Sequence, residues 1–423
     1  MFKQHNIITA VELGTSKLCV LIGEYQDEEL NVIGFAETTC TEGMVKGEIF
    51  SMDAVQEKLI EALETADIRS GNELNNSSMI VMSVTGCDMD AMICEGSTIV
   101  QGEDGKVSED DICEATRNSR FQQLPIDRRF VNSFDAYYKL DNVRRVPHPL
   151  NHKASTLQAY SHVVHGNSNR LANFSEVLID SGLETDAELI FAPVADMLGV
   201  LSDDELENGT LLINLGAGTT EYAVVWHNGV QASGVLAIGF DHVANDLSVG
   251  LDLPISYCRN ILSNGTLEKA LREKQSYLEC RTNSGAVRKI PLDSFSRIAD
   301  ARIREIFEII RKRLAAESFW RNLSAGCVLT GGGAEFYPTR EIFRQVCDLP
   351  SRIGSPLGLN GHEEICTPRY STIYGALRYG HKVCLLNESR RRGSFGDGLL
   401  NRISGLGDAF SRKIKSLRKN IKI

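Results

Sequence analysis

Short apolar runs at the start of the chain alternate with turn residues and predict three consecutive strands. The runs cover 7–12, 17–25 and 30–37, are rich in Val and Ile, and are interrupted at the first turn by Gly14. A helical period follows over 51–66, where Val55, Leu59, Ala62 and Leu63 share one face. Ser51 and Asp53 are typical helix-start residues. The opening pattern is therefore that of an α/β unit.

The same three-strand pattern returns about 200 residues later, over 210–215, 221–227 and 229–237. The correspondence extends to the first turn. Residues 11–17 (Val-Glu-Leu-Gly-Thr-Ser-Lys) match residues 213–219 (Ile-Asn-Leu-Gly-Ala-Gly-Thr). Self-similarity at this distance indicates an internal duplication. We expect two related α/β halves that face each other across a cleft.

A segment of different pattern lies between the two repeats. It has predicted strands at 80–85, 131–140 and 157–164 and a predicted helix at 108–120. We interpret 81–165 as a small α+β subdomain inserted into the first half, which then comprises 1–80 and 166–205. The second half covers 206–385 and contains a mostly helical insertion at 240–300. Residues 386–398 are polar, rich in Gly and without period, which predicts a flexible linker.

Three glycine-containing turns are candidates for holding a nucleotide. Gly lets a backbone approach a phosphate closely, and converging N–H groups bind the anion. The candidate residues are Glu12, Gly14, Thr15, Ser16 and Lys17 in the first turn; Asn214, Gly216, Ala217, Gly218, Thr219 and Thr220 in the second; and Gly331, Gly332, Gly333 and Ala334 in the third. One such turn alone is more often an ordinary hairpin. Two at matching positions of a duplication, followed by a triple glycine after a later strand, favour a nucleotide cleft.

These motifs resemble those of the superfamily that contains actin, the sugar kinases and the DnaK-type chaperones, and most of all the FtsA family. Residues 12–17 and 214–220 resemble its two phosphate motifs, and 329–334 resembles its adenosine motif. Residues 189–201 and 370–376 resemble the two segments that connect the halves. The resemblance implies an actin-like ATPase fold with an inserted SHS2-type subdomain, and ATP with Mg²⁺ as the ligand.

Several positions depart from the superfamily pattern. Asn214 stands where an Asp is usual, and a neutral amide attracts Mg²⁺ less than a carboxylate does. Ala217 replaces a glycine and narrows the approach to phosphate. Residues 258–261 lack the Glu and Lys that relatives often place near the adenosine, and 191–194 offer no carboxylate to organise an attacking water. We therefore expect at most a weak ATPase, in which nucleotide controls conformation and assembly.

An apolar stripe with basic edges ends the chain, over 399–423. The stripe consists of Leu399, Ile403, Leu406, Phe410, Ile414, Leu417 and Ile421. The basic residues are Arg402, Arg412, Lys413, Lys415, Arg418, Lys419 and Lys422. A helix docked on its own domain and a coiled-coil arm are the structural alternatives. The basic edges and the preceding linker favour a helix lying in the surface of an anionic membrane, as the C-terminal helix of the FtsA family does.

The charge balance supports this division into body and tail. The whole chain carries −11, and the tail from Leu399 carries seven basic residues and one acid, or +6, so −11 less +6 leaves −17 for the body. An acidic body argues against nucleic-acid binding.

The 11 cysteines form no Cys-x-x-Cys pair, which favours buried, reduced thiols. His148, His152, His162 and His165 fit no usual metal spacing, so no metal site is predicted.

The absence of a long apolar run and of a secretory signal predicts a cytoplasmic protein. The resemblance implies a peripheral protein on the cytoplasmic face of the inner membrane at the division site. There it would tether FtsZ filaments, self-associate into filaments and contact other divisome proteins. By the same resemblance, Arg302 on a predicted helix at 293–316 is the candidate contact for the acidic C-terminal peptide of FtsZ. The alternatives are a pilus-assembly relative such as PilM, or a sugar-kinase or chaperone-type ATPase.

Overall fold

The first half begins with the predicted strands and helix. The structure, a computed structural model, describes residues 6–26, 29–120, 123–183, 187–360 and 362–391. The first elements are β1 (Asn6–Leu13), β2 (Lys17–Gln26), β3 (Glu29–Thr39), the short β4 (Met44–Val45) and β5 (Glu48–Ile49), α1 (Met52–Ser70) and β6 (Ser77–Val84). Ser51 caps α1 by accepting a hydrogen bond from the Ala54 N–H at 3.4 Å.

The inserted subdomain is an antiparallel sheet with one helix. Its elements are β7 (Asp90–Ile99), α2 (Glu109–Arg120), β8 (Arg128–Leu140), β9 (Arg144–Val146) and β10 (Thr156–Asn167), with strand order β7-β10-β8-β9. A small core of its own includes Ile112, Tyr138 and Leu157. Strands β7 and β9 were not predicted, and the other three elements were.

The chain then returns to the first half through α3 (Ser168–Asp180), β11 (Glu188–Phe191), α4 (Ala192–Val200) and α5 (Asp203–Asn208). The first sheet has the order β3-β2-β1-β6-β11. The assignment of residues 80–85 to the insertion is therefore wrong, because β6 pairs in parallel with β1 and β11. A buried apolar run indicates a strand, but its period does not reveal which sheet the strand joins.

The second half contains its sheet and the predicted helical insertion. It begins with β12 (Thr210–Leu215), β13 (Thr220–Trp226) and β14 (Gly229–Leu236). The insertion consists of α6 (Phe240–Leu251), α7 (Ile255–Ser263), α8 (Thr266–Arg272), an unpredicted hairpin of β15 (Tyr277–Arg281) and β16 (Val287–Pro291), and α9 (Leu292–Leu314). The half ends with β17 (Gly326–Thr330), α10 (Pro338–Cys347), β18 (Ser351–Ile353) and α11 (Ser371–Arg391).

The two large sheets have the same topology. The second sheet has the order β14-β13-β12-β17-β18, which repeats the first sheet strand for strand. In each, the first three strands are antiparallel and the last two are parallel to the first. Each also has a register shift between its second and third strands, at Ile22/Gly23 and at Val224/Val225. The predicted duplication is confirmed.

Helices α4 and α11 cross where the two halves join. A Cβ built on Gly375 would lie 1.7 Å from the carbonyl oxygen of Ala195, and one built on Gly199 would lie 2.6 Å from that of Ser371. Only glycine permits this approach.

Helix α11 continues to Arg391, so the predicted linker is wrong over 386–391. Residues 392–398 and the predicted membrane helix at 399–423 lie outside the described residues.

Buried polar contacts hold the inserted subdomain against the second half. Gln231 of β14 donates to the carbonyl oxygen of Ala136 in β8 at 2.8 Å and accepts from Arg145 of β9 at 2.6 Å. The Arg145 guanidinium lies 3.8 Å from the ring centre of Tyr137 and 5.1 Å from that of Trp226. The insertion is therefore bonded to both halves, although it belongs to the first by chain connection.

We predict that Gln231→Ala lowers the free energy of unfolding by about 1–3 kcal/mol, because it leaves buried groups of β8 without partners. Urea unfolding followed by circular dichroism measures the loss. Gln275→Ala, which removes an exposed amide, is the matched control and should change stability by less than about 0.5 kcal/mol. Equal stability of the two variants would contradict the role given to Gln231.

Candidate functional site

A cavity of about 600 Å³ lies between the two halves and collects the predicted turns. Thirteen of the fifteen predicted nucleotide residues line it: Glu12, Gly14, Thr15, Ser16, Lys17, Asn214, Gly216, Ala217, Gly218, Thr219, Gly331, Gly332 and Gly333. Thr220 and Ala334 are buried and are not among its lining residues. The three turns, distant in sequence, thus form one site.

The turns after β1 and β12 have the same local geometry. The Gly14 N–H donates to the carbonyl oxygen of Lys17 at 2.9 Å, and the Gly216 N–H donates to that of Thr219 at 3.0 Å. The tips of the turns also meet across the cleft. A Cβ built on Gly218 would lie 2.4 Å from Oγ1 of Thr15, so the second turn needs glycine at its tip.

These tips carry hydrogen-bond donors without protein acceptors. In the ranges that the structure describes, the N–H groups of Thr15, Ser16, Ala217 and Gly218 have no hydrogen-bond partner. The carbonyl oxygens of the second turn are, by contrast, occupied: Gly216 and Ala217 accept from the N–H groups at 240 and 241, both at 2.9 Å. Two sets of unpaired N–H groups therefore border the cavity, as an anion site requires.

The triple glycine forms a third wall of the cavity. Gly331 has φ of +81°, and a Cβ built on it would lie 2.1 Å from Oδ1 of Asn214. A Cβ on Gly333 would lie 2.3 Å from the ring of Phe240. A Cβ on Gly332, between them, meets no protein atom within 4 Å. The middle glycine is thus open to the cavity, while its two neighbours are required by packing.

Residues of the helical insertion line the far end of the cavity and were missed by the sequence analysis. They are Phe240, Asp241, Arg259, Asn264 and Glu268. Arg259 donates to Asp241 at 3.0 Å. Residues 258–261 lack Glu and Lys, as the sequence indicated. Arg259 and Glu268 nevertheless place one positive and one negative charge at this end of the cavity. No motif marks Arg259, Asn264 and Glu268, because they lie on or between two short helices, α7 and α8, that are joined through Gly265 in a left-handed conformation.

Lys17 supplies a buried cation at the first turn. Its Nζ lies 3.3 Å from both carboxylate oxygens of Glu12 and 4.9 Å from the ring centre of Tyr370. Burial by itself lowers the pKa of Lys17, but the neighbouring Cys19, Glu12 and Glu37 outweigh it and raise that pKa above its ordinary value. Lys17 therefore stays protonated at neutral pH.

A buried carboxylate lies beside the cleft in the connecting segment, although 191–194 offer none. Asp196 of α4 has 0% exposure and accepts from Nδ2 of Asn214 at 2.7 Å. It also accepts from Oγ1 of Thr372 at 2.8 Å. Burial, together with the charge of Glu12, raises the pKa of the Asp196 carboxyl. Residues 191–194 carry no carboxylate, as the sequence indicated, but the sequence analysis missed Asp196 two residues further along.

Glu221 is a second buried carboxyl and lines the cavity. It accepts from the hydroxyl of Thr219 at 3.2 Å and from that of Thr85 on the first half. Burial and the nearby charge of Asp196 raise the pKa of the Glu221 carboxyl. The sequence analysis did not single it out, because it stands inside strand β13 after the turn.

Arg302 lies on α9, is not among the residues that line the cavity, and is already engaged. Its guanidinium donates to both carboxylate oxygens of Asp246 on α6, at 2.6 and 3.1 Å, and to Glu305 at 2.5 Å. The hydrogen bond to Asp246 and the two carboxylate charges raise its pKa. A peptide carboxylate would have to replace one of these partners.

The remaining expectations concern thiols, metals and membrane spans. All 11 cysteines are free, and all but Cys87 and Cys366 are buried. This confirms the expectation that the cysteines are mostly buried thiols. Among the described residues, no three His, Cys, Asp or Glu side chains are grouped so as to hold a metal ion. In the same part of the chain, every helix is too short or too polar to cross a bilayer.

Two family models match the chain. The model described as "Cell division protein FtsA" matches residues 211–375, and "SHS2 domain inserted in FTSA" matches residues 86–165. The second match begins just after β6, in agreement with the assignment of that strand to the first half. The insertion is therefore an SHS2 subdomain, as predicted.

Relatives that align over more than nine-tenths of their length are also named cell division protein FtsA. The cell division protein FtsA of Neisseria meningitidis serogroup B is 27% identical over 391 residues, which cover 91% of this chain and 92% of the relative. That of Borreliella burgdorferi is 25% identical over 391 residues, 91% of this chain and 94% of the relative. These alignments extend over nearly the whole chain.

Solved structures share the fold. A chain of the PilM-PilN type IV pilus biogenesis complex has a TM-score of 0.59 at 14% identity and covers 89% of this chain and 98% of its own. MreB5 of Spiroplasma citri bound to ADP has a TM-score of 0.52 at 13% identity, with coverages of 91% and 99%. At these identities the likeness shows the fold alone, and it confirms the predicted actin-like ATPase fold.

We predict that Glu221→Gln reduces the loss of stability with rising pH. A carboxyl whose pKa is raised on folding keeps its proton in the folded state while the unfolded chain releases it, from about pH 4.5 upward. Stability from this group is therefore present at acidic pH and is lost as pH rises into the neutral range. Thermal unfolding at about pH 5 and pH 8 should show a difference on the order of 1–3 kcal/mol between wild type and variant.

The exposed carboxylate of Glu61 on α1 provides the control. Glu61→Gln should keep the wild-type pH dependence. Parallel pH profiles for wild type and Glu221→Gln would show that Glu221 is ionised in the folded protein, contrary to this assignment.

Proposed function

The chain belongs to the FtsA family of cell division proteins, and we propose that it binds ATP in the cleft and tethers FtsZ filaments to the cytoplasmic face of the inner membrane. The observation that carries the nucleotide part is the meeting of the two duplicated turns. Their unpaired N–H groups, from Thr15 and Ser16 on one side and Ala217 and Gly218 on the other, border one cavity. Such a pair can hold a phosphate chain from both sides.

The residues present fit a nucleotide along the whole cavity. Phosphates would lie between the two turns near Lys17, and the open face of Gly332 leaves room for the adenosine. Arg259, Asn264 and Glu268 provide polar groups for the base and ribose at the far end. A bound Mg²⁺ would supply the positive charge that offsets the phosphates. The nucleotide then links the two halves and sets their relative position.

Hydrolysis in this cleft is expected to be weak. Phosphoryl transfer depends on positioned charge, and Asn214 presents a neutral amide where the superfamily has a carboxylate. Lys17 is already paired with Glu12, which reduces its availability for the phosphates. We therefore propose that bound ATP serves self-association into filaments rather than rapid turnover.

The contact with FtsZ is proposed at α9. Arg302 holds Asp246 and Glu305, so an acidic peptide could bind by exchanging its carboxylates for these. Arg297, five residues earlier on the same helix, has a side chain that is 81% exposed and pairs with Asp293 at 3.9 Å, so it offers α9 a second cation. Contacts with further divisome proteins are proposed from the family alone.

Membrane attachment is proposed for residues 399–423, from their sequence. Leu399, Ile403, Leu406, Phe410, Ile414 and Leu417 would be buried at the acyl boundary, and Arg412, Lys413, Lys415 and Arg418 would meet anionic headgroups. With a net +6 on this tail, attraction to an anionic surface is substantial, at about 1 kcal/mol for each basic residue.

We predict that Gly332→Val strongly weakens ATP binding while the free protein keeps its stability. The valine side chain meets no protein atom within 4 Å of its Cβ, but it fills the space proposed for the nucleotide. Thermal shift and isothermal titration with ATP and Mg²⁺ should show at least about a tenfold loss of affinity. Ala301→Val, on the exposed face of α9, is the matched control and should bind ATP as wild type does. Wild-type affinity of the Gly332 variant would place the nucleotide elsewhere.

We predict that a chain ending at Asp397 no longer co-sediments with vesicles that contain anionic lipid, whereas the full chain does. The shortened chain loses both the apolar stripe and its basic residues. Neutral vesicles should retain the full chain less well, because the electrostatic part of the attraction is missing. If the shortened chain sedimented with anionic vesicles as fully as the whole protein, the tail would not be the membrane anchor.

A further inference from the structure

Asp196 is a completely buried carboxylate directly behind Asn214. It has 0% exposure, while Asn214 is 8% exposed and lines the cavity. Nδ2 of Asn214 donates to Oδ2 of Asp196 at 2.7 Å and to Oγ1 of Thr372 at 3.1 Å. The Thr372 hydroxyl donates in turn to Oδ1 of Asp196 at 2.8 Å. Three side chains from α4, β12 and α11 thus form a closed ring of hydrogen bonds.

The donor and the acceptor of each hydrogen bond in the ring are determined. Both carboxyl oxygens of Asp196 accept, Oδ1 from Thr372 and Oδ2 from Asn214, and the Thr372 hydroxyl has committed its proton to Asp196, so both neighbours of Asn214 accept from it. The NH₂ end of the amide is therefore fixed toward Asp196 and Thr372. The carbonyl end then faces Gly331, where a built Cβ would lie 2.1 Å from Oδ1. Asn214 is held as an acceptor toward the nucleotide side.

The carboxylate is costly, which argues that it has a role beyond packing. Within the described ranges no Lys, Arg or His forms an ion pair with Asp196. A buried charge without a cation destabilises a protein unless hydrogen bonds or a ligand compensate. An Asn or Ser at 196 would avoid that cost, but either could also donate and would leave the orientation of Asn214 undetermined.

We propose that Asp196 is a positioning residue of the nucleotide cleft. By accepting the amide hydrogens of Asn214, it fixes the Asn214 carbonyl toward the cavity. It also places, one side chain further back, the negative charge that position 214 lacks. The role toward the ligand rests on the proposed function, whereas the pairing of the two side chains does not.

The first arm of the test measures the pairing without nucleotide, by thermal unfolding of the full chain in EDTA. Asn214→Asp should lower the Tm, because it brings a second carboxylate against Asp196 and removes the donor. The double variant Asp196→Asn/Asn214→Asp exchanges the two groups, restores one donor and one acceptor, and should recover most of that loss. A double variant no more stable than Asn214→Asp alone would overturn the pairing.

The second arm measures the affinity for ATP with Mg²⁺ and with EDTA. Asp196→Asn should reduce the gain in affinity that Mg²⁺ provides by about tenfold, since it removes a charge close behind the site. The exchanged double variant should restore or increase that gain. Glu205→Gln is the control. It weakens a bidentate ion pair with Arg352, neither residue of which lines the cavity, and should lower stability without changing the effect of Mg²⁺.

The outcomes separate the two proposals. If wild type gains affinity from Mg²⁺ and Asp196→Asn gains as much, the positioning role is wrong and the proposed function stands. If wild type binds no ATP under either condition, the proposed nucleotide function fails, and the ligand role of Asp196 fails with it. The unfolding measurements in EDTA then still decide whether Asp196 holds Asn214.

Discussion

The crossing of α4 and α11 is the constraint on which the cleft depends. Gly375 lies against the backbone of Ala195, and Gly199 lies against that of Ser371, so the helices touch through their main chains. At this distance the residues next to the contact, Asp196 on one helix and Thr372 on the other, reach the same atoms of Asn214. A side chain at either glycine would push the helices apart and break the ring. The polar ring therefore requires the backbone contact between the two helices.

The same crossing determines how the duplicated turns meet. Each turn ends the first strand of its own sheet, and the sheets have identical topology, so joining the halves at their connecting helices brings equivalent turns together. The result is the contact of Gly218 with Thr15. The SHS2 subdomain is bonded to β14 of the second half through Gln231. Any rotation of the halves about the crossing must therefore alter the cleft and the subdomain together.

The sequence predicted the parts of this arrangement that are repeated or local. The strand at 210–215 was predicted to the residue, because a turn motif marks its end and a matching copy exists at the N-terminus. The partner of β6 was not predictable, since sheet membership is a long-range property. Asp196 was overlooked because its role depends on a helix 176 positions away, where Thr372 lies. The end of α11 was read as linker because its last residues are polar, and a polar run without an apolar period does not distinguish the end of a helix from a loop.

The charges of the cleft explain why a divalent cation belongs to the proposed complex. Glu12, Glu37 and Glu221 line the cavity and Asp196 lies just behind it, whereas Lys17 is held by Glu12 and Arg369 by Glu37. Even without Glu221 and Asp196, the lining carboxylates of Glu12, Glu37, Asp241 and Glu268 outnumber the lining cations of Lys17, Arg259 and Arg369, so a polyphosphate placed there would face more negative than positive charge. Burial raises the pKa of Glu221 and of Asp196, so their ionised forms are disfavoured in the folded protein. A cation that arrives with the nucleotide favours the ionised carboxylates, so its binding and the release of protons from the cleft are linked. In the proposed complex, the buried carboxyl groups would make the binding of nucleotide, cation and protons one coupled equilibrium, with Asn214 at its centre.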